Sequence, residues 1–430
     1  KPYFRVNRKE EMENKILYLV TATYPFGYGE PFLENELKVI APFFEKVFVV
    51  VPVENNKPLA PQQYSIPENV EVITLNYSLS GAGKGLAVIG SLFTKDFWQE
   101  LGVIKGRYGL SVNSNILKTL WNYFAQGNAF KRALKPLLLK QYHKEIYLYT
   151  YWCTQYTYAV AQLSREIADC YAVTRIHGWD CYFERSTIKY LPLRKCIFSK
   201  LKNVFTISEQ GRQYLLQKTG EEFANKISTQ YLGAPRGSLK SGNPKAETFH
   251  LLSIAFVAPV KRLERIVDAL KEIRDIKICW HHIGGGDGEA RLKEYAVHQF
   301  SANGNVEARF YGNKSNAEIA TLLAGQTFHT LINTSESEGL PVTFMEALSY
   351  GIPIIAPNVG GIAEIVKHEQ NGILLSDQPN TAEISGAITK IAAMSEQQFN
   401  ALRKNAFDTW QRRFNAQKNY SDFAAEILKH

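Results

Sequence analysis

Apolar, β-branched runs of strand length alternate with helix-like stretches from one end of the chain to the other. The runs Ile16–Thr21, Val47–Val53, Val70–Leu75, Ile146–Tyr151, Ala172–His177, Val204–Ser208 and Ile227–Leu232 read as strands. A passage rich in Pro, Gly, Ser and Lys, Ala234 to Glu247, interrupts the rhythm. It restarts with Leu251–Ala255, Lys277–Ile283, Ala308–Tyr311, Thr327–Asn333, Pro353–Pro357 and Gly372–Leu375. Strands apolar on both faces and separated by helices are what a parallel sheet covered on both sides requires. The pattern predicts an α/β protein of two doubly wound, Rossmann-like domains facing each other across a cleft. The expected division is a first domain over 12–235, a linker over 236–248, a second domain over 249–405, and a helical segment over 406–430 that packs back on the first. Ligands of such sheets bind outside the carboxyl ends of the strands, so the strand-end loops should carry the chemistry.

Composition narrows the class. The chain has 430 residues, of which 45% are apolar and 12% aromatic, which excludes wholesale disorder and a single small module. Five scattered cysteines (Cys153, Cys170, Cys181, Cys196 and Cys279) form no C-x-x-C pair. That argues against a disulfide scaffold or a zinc site and for a reduced, cytoplasmic chain. No run approaches the 18 or more apolar residues that read as a membrane span. The first residues, KPYFRVNRKEE, lack the apolar stretch of a secretory signal, and Met12 followed by ENKILYLV reads as a natural start, with residues 1–11 an extension.

The net charge of +9 matters only for where it sits. Leu101–Lys144 holds eight Lys and Arg residues and no Asp or Glu, while Ile116, Leu117, Leu120, Trp121 and Phe124 recur at helical spacing. Two readings follow: a core-facing helix with a solvated basic back, or a surface that meets anionic lipid headgroups or a lipid-linked phosphate. No nucleic-acid module accompanies the charge, so nucleic acid is not an expected partner.

The most informative run is SESEGLPVTFMEALSYGIPIIAPNVGGIAEIV, Ser335 to Val366, which opens directly after a strand. Glu338-Gly339-Leu340-Pro341 forms a turn into a helix, with Pro341 expected at its first position. Gly339 lets backbone approach a ligand, and the helix N-terminus offers unpaired N–H groups to a diphosphate. Glu346 follows within that helix. Carboxylates beside a phosphate would repel it, so Glu338 and Glu346 make sense as acceptors of hydrogen bonds from neutral hydroxyls flanking the diphosphate, a ribose diol and a hexose. The run HHIGGGDGEARL fails the dinucleotide fingerprint G-x-G-x-x-G, because Glu289 stands at the third glycine position.

With its two glutamates seven residues apart in between and the following Gly360-Gly361-Ile362-Ala363-Glu364, the chain resembles the retaining, GT-B-fold glycosyltransferases of family 4, within glycosyl transferases group 1. The resemblance implies that Glu338 contacts the donor sugar, that Glu346 holds the ribose, that the amides around Gly339 and Leu340 meet sugar and phosphate, and that Pro341 belongs to the donor-binding turn. It implies further that Lys261 and Arg262, in SIAFVAPVKRLERIVDAL, neutralise the departing diphosphate. Five residues before Lys261, where many members carry arginine, this chain has Phe256, and Arg262 is the candidate substitute. In TATYPFGYGEPFLENEL, Gly27, Gly29 and Glu30 resemble the family's glycine loop, and Gly29 is expected near the donor. In RIHGWDCYFERS, His177 is expected near the anomeric carbon, with Asp180 organising its loop. Gly286-Asp287-Gly288 resembles a structural bend, and Asn313 is expected to border the nucleobase.

These residues together imply a hexosyltransferase-type enzyme that moves a sugar from a UDP- or GDP-linked donor to a glycan or lipid-linked acceptor in cell-surface polysaccharide or glycoconjugate assembly. No cofactor and no metal are expected: D-x-D is absent, and lysine, arginine and helix amides would take the metal's place. The expected location is cytoplasmic, peripheral on the membrane if Leu101–Lys144 meets lipid. The alternatives are a sugar-nucleotide epimerase and a non-catalytic sugar-nucleotide-binding subunit.

Overall fold

The computed structural model describes residues 14–301 and 304–429. Residues 1–11 and the start at Met12 lie outside the described residues. The chain divides into two compact units, one running to Gln230 and joined by the residues from Tyr420 onward, the other Tyr231–Asn419.

The thirteen strands read from the sequence are all present among the described residues, displaced by a few positions at most. The first unit contains β1 (Lys15–Val20), β2 (Lys46–Glu54), β3 (Val70–Tyr77), β4 (Glu145–Thr150), β5 (Cys170–Ile176), β6 (Asn203–Thr206) and β7 (Ile227–Thr229). The second contains β8 (Phe249–Ile254), β9 (Ile278–Ile283), β10 (Val306–Phe310), β11 (Thr330–Ile332), β12 (Ile354–Pro357) and β13 (Gly372–Leu375). All pairings between these strands are parallel, in the orders β3-β2-β1-β4-β5-β6-β7 and β10-β9-β8-β11-β12-β13. Both are doubly wound, and the architecture is that of GT-B proteins, two parallel-sheet Rossmann-like units. Central strands such as β4 and β9 are buried along nearly their whole length, which is why they read as continuous apolar runs.

The first unit has a core in which the long helix Ser114–Leu139 is a principal member. Asn113 starts it by accepting a hydrogen bond from Ile116 N–H at 3.0 Å. Its residues Ile116, Leu120, Phe124, Phe130, Leu134 and Leu138 are buried in the core, and Trp121 packs against it. Gly127 allows close approach to the helix Gln155–Glu166: a Cβ there would sit 3.0 Å from the Gln155 carbonyl. The apolar face of the basic segment therefore points inward, the first of the two readings above. Its charges are partly matched from far along the chain. Lys131 and Lys135 both pair with Glu166, and Lys144 with Glu45. Lys105, Lys118, Arg132 and Lys140 remain exposed.

Under β5 lies an ion pair between Arg175 and Glu36, both fully buried, with Tyr149 donating to Glu36 at 2.9 Å. The Arg175 guanidinium lies 3.8 Å from the centre of the Phe423 ring, and Phe423 also packs edge-on against Tyr149 and Phe205. Phe423, in the last helix Ala416–Leu428, is thus held on the first sheet by a desolvated cation and two rings.

Candidate functional site

In both sheets the winding direction reverses beside the first strand, between β1 and β4 and between β8 and β11. The carboxyl ends of these strand pairs are where a doubly wound sheet opens a crevice.

In the second unit those ends carry Lys261 and Glu338. The loop after β8 closes in the short turn Pro259–Lys261, and the loop after β11 runs from Asn333 to Pro341. Lys261 Nζ lies 2.6 Å from Glu338 Oε1. The same oxygen accepts from Ser335 Oγ at 2.6 Å and from Asn333 Nδ2 at 3.2 Å. Thr334 Oγ1 donates to the carbonyls of Lys261 and Arg262, at 3.0 and 2.9 Å, and stitches the two loops together. Arg262 takes a left-handed conformation, φ 48°, and its guanidinium pairs with Glu336 at 2.8 Å rather than with Glu338. Phe256 is 62% exposed, so an apolar ring stands where the resemblance leads one to expect arginine.

The turn after Glu338 leads into the helix Val342–Ser349. Pro341 is its N-cap, one residue earlier than expected: its ψ of 119° is extended, which ends the turn before the helix begins. No side chain caps this helix; Phe344 N–H donates to the Pro341 carbonyl at 3.2 Å, which leaves the N–H groups of Val342 and Thr343 to meet an anion. The Gly360-Gly361 turn closes on the same segment, Gly361 N–H donating to the Gly339 carbonyl at 2.9 Å. Glu364 is an anchor: its carboxylate accepts from Tyr231 Oη at 2.8 Å and its carbonyl from Arg413 at 2.6 Å. The glycine run after β9 is built just as tightly. Gly284, at φ 133°, would place a Cβ 1.9 Å from the Ala255 carbonyl, so only glycine fits. Asn313 Oδ1 accepts from Gly285 N–H at 2.7 Å, which gives this residue a positioning role within the loop cluster.

Glu346 sits four residues into the helix, ~6 Å along its axis. It has no ion-pair partner among the described residues, and burial pushes its carboxyl up to about 7. The sign follows from the fold binding that proton more tightly than the unfolded chain does. Stability is lost as pH rises from the ordinary carboxylate range toward 7, and the cost persists above it. Glu346→Gln should therefore raise stability by about 2–3 kcal/mol at pH 8 with little change at pH 4. If the carboxylate accepts hydrogen bonds from a ligand's hydroxyls, the same variant should weaken nucleoside diphosphate binding about ten- to a hundredfold. Melting curves at the two pH values and calorimetry check both halves; a variant that melts higher yet binds as wild type would remove Glu346 from the site.

In the first unit, Glu30 occupies the loop after β1. Its buried carboxylate accepts from the N–H groups of Ala22, Thr23 and Tyr24 at 3.1, 2.7 and 2.7 Å, and from Trp152 Nε1 at 2.7 Å. The glycine loop is thus shaped by Glu30 and by Gly27 at φ 64°, while Gly29 is exposed and has no left-handed backbone. His177 follows β5 and is 8% exposed. Its ring packs 4.4 Å from Tyr151 and 4.5 Å from Trp152. Both ring nitrogens are buried without a hydrogen-bond partner among the described residues. Burial, with the nearby Arg175 charge, holds its pKa well below the usual histidine value, so the imidazole is neutral. Asp180 organises this loop by accepting from His177 N–H at 2.8 Å and Cys153 N–H at 2.9 Å. Trp179 is half exposed and lies 5.2 Å from Trp152.

The structure therefore brings Lys261, Glu338, Gly339, Leu340 and Pro341 together on linked loops of the second unit, with Arg262 and Asn313 on adjoining segments and Glu346 on the following helix. Gly29 and His177 stand at strand ends of the first unit. Sequence reasoning missed Asn333, Thr334 and Ser335, which seat the Glu338–Lys261 pair, and the Trp152–Trp179 wall; a polar run immediately after an apolar strand was the available signal.

Two doubly wound, parallel-sheet units define the GT-B architecture. Residues 238–409 match the model described as glycosyl transferases group 1. The O-antigen biosynthesis glycosyltransferase WbnH of Escherichia coli is 25% identical over 222 residues, which are 50% of this chain and 60% of the relative. An uncharacterized glycosyltransferase of Methanocaldococcus jannaschii, MJ1178, is 26% identical over 51% of this chain and 58% of its own. The alignments thus span less than two thirds of these curated relatives. Among solved structures, the lipopolysaccharide outer core galactosyltransferase WaaB superposes with a TM-score of 0.64 at 15% identity, over 96% of this chain and 99% of that one. Anabaena HepE in complex with UDP does so with a TM-score of 0.62 at 16% identity, over the same shares.

Proposed function

We propose that this protein is a retaining glycosyltransferase that moves a sugar from a UDP- or GDP-linked donor to a glycan or lipid-linked acceptor, in polysaccharide or glycoconjugate assembly. The observation that carries the reading is Lys261 held against Glu338 at the carboxyl ends of β8 and β11, beside an uncapped helix N-terminus. Lys261 and the helix amides stabilise the leaving diphosphate as its charge develops, with Arg262 in support. Glu338 accepts from donor-sugar hydroxyls and Glu346 from the ribose. Neutral His177 offers a hydrogen bond near the reacting carbon. Same-face attack follows from the family resemblance. The relatives' names support the biosynthetic setting, and UDP and UDP-glucose in the HepE structures support a nucleotide-sugar donor.

The Trp152–Trp179 wall in the first unit offers flat, partly exposed rings to the apolar face of an acceptor sugar. A lipid-linked acceptor fits Ile89, Leu92, Phe93 and Trp98, exposed around the turn between the helices Gly81–Leu92 and Lys95–Gly106; Phe93 is 86% exposed. With Lys105, Lys118, Arg132 and Lys140 they support a peripheral position on an anionic membrane from the cytoplasmic side. No helix of the described residues is long and apolar enough to cross a membrane.

One experiment tests the reading. The protein is incubated with UDP- and GDP-sugars and a polyisoprenyl-diphosphate glycan in anionic or neutral vesicles, with and without magnesium or manganese. Transfer with retained anomeric configuration, faster on anionic vesicles and unchanged by added metal, is expected. Isomerisation of the donor would point to an epimerase, binding without turnover to a non-catalytic subunit, and turnover that requires added metal would overturn the metal-independent mechanism.

A further inference from the structure

The second sheet departs from its own rule on one face. A parallel strand covered on both sides should be apolar throughout. Yet register places Glu307, Cys279 and His250 side by side on β10, β9 and β8, with Arg309 and His281 in the next row of the same face. His329, just before β11, continues the first row and accepts from His250 N–H at 2.8 Å through Nδ1.

Within this patch His250, Cys279 and His281 bring one ligating atom each to within 4.8 Å of one another. His250 Nδ1 and His281 Nε2 are 3.0 Å apart. The other nitrogen of His281 lies 2.8 Å from Tyr311 Oη, the kind of outer partner that fixes an imidazole's orientation and tautomer at a metal. Zinc bonds of ~2.0–2.1 Å to nitrogen and ~2.3 Å to sulfur put tetrahedral ligand atoms roughly 3.3–3.6 Å apart, so a small rearrangement suffices, with the two nitrogens parting slightly as the cluster closes around the ion. His281 and Cys279 are buried, while His250 is partly exposed and lines two cavities of about 460 and 300 Å³. The smaller cavity also touches Cys279 and leaves room for a water as fourth ligand. Arg309, in the same row as His281, is already engaged by Glu307 at 2.7 and 3.2 Å.

We propose that His250, Cys279 and His281 form a binding site for one zinc(II) ion. Two imidazoles and a thiolate select a borderline-soft late transition ion over magnesium or calcium. The ion clamps β8 to β9 toward the amino ends of the strands, away from the Gly284–Gly286 loop that follows β9, so it stabilises the unit and takes no part in holding a diphosphate. The proposal is independent of the transferase reading.

The test uses the whole chain after chelator treatment, titrated with cobalt(II) and then with zinc(II) in competition with a chromophoric chelator. One equivalent of cobalt should bind and show a thiolate-to-cobalt charge-transfer band that Cys279→Ser removes. His250→Gln, at a partly exposed position that should keep its fold, should weaken zinc binding at least about tenfold and abolish any rise in melting temperature with zinc. Its nucleoside diphosphate affinity should equal that of the wild type. Absence of stoichiometric binding, a band that survives Cys279→Ser, or equal zinc affinity in His250→Gln would overturn the site.

Discussion

Lys261→Ala is expected to slow sugar transfer by about a hundred- to a thousandfold, the usual cost of removing one preorganised group that stabilises developing charge. Lys261 is the cation fixed directly against Glu338, whereas Arg262 is turned to Glu336, so Arg262 replaces it only in part. The fold should survive, because Glu338 keeps its hydrogen bonds from Ser335 and Asn333 and Thr334 still ties the two loops through main-chain carbonyls. A melting temperature close to wild type, with turnover collapsed and nucleoside diphosphate affinity reduced, is the expected combination. Turnover within threefold of wild type would take Lys261 out of the reaction.

Gly360→Ala should be among the most damaging single methyls in the second unit. Gly360 has φ 55°, and an added Cβ would lie 2.0 Å from the Glu338 carbonyl, a backbone atom that cannot swing aside. Left-handed strain and overpacking together give a loss of about 2–5 kcal/mol. At ~2–4 °C per kcal/mol that is a melting shift of roughly 4–20 °C. The displaced backbone is that of Glu338 and Gly339, so nucleoside diphosphate binding should fall in parallel. Gly386→Ala, in the helix Thr381–Ala392 with no atom within 4 Å of the added Cβ, is the matched control and should be neutral or slightly stabilising. Equal melting temperatures for the two variants would show that the Gly360 turn is not a rigid part of the site.

Much of the fold was legible because burial on both faces forces a parallel strand to read as an apolar run, and parallel neighbours need crossovers that are mostly helical. The Glu338–Glu346 segment was legible for a related reason: its turn, helix start and second carboxylate lie within ten residues, where helical rise and turn chemistry alone fix their relation. The basic segment shows where local reading stops. Ile116, Leu120 and Phe124 announced a helix with an apolar face, but not that the face meets the helix Gln155–Glu166 and the core, nor that Glu45 and Glu166 answer three of its lysines. Helical periodicity gives a face its composition, not its neighbour.

What the sequence by itself determined, then, was the strand and helix order, the strand-end placement of candidate residues, and the local chemistry of the turn at Glu338. The tertiary structure decided every relation that spans strands. Lys261 and Glu338, 77 residues apart, meet because β8 pairs with β11 at the reversal of the sheet. Glu30 reaches Trp152 because β1 pairs with β4. Cys279 lies beside His250 and His281 through the register of β8 on β9, a grouping that cysteine spacing along the chain does not contain. Local preferences act over a few residues along the chain, whereas strand order and register are set by the cooperative burial of whole sheets, which no short window of sequence contains.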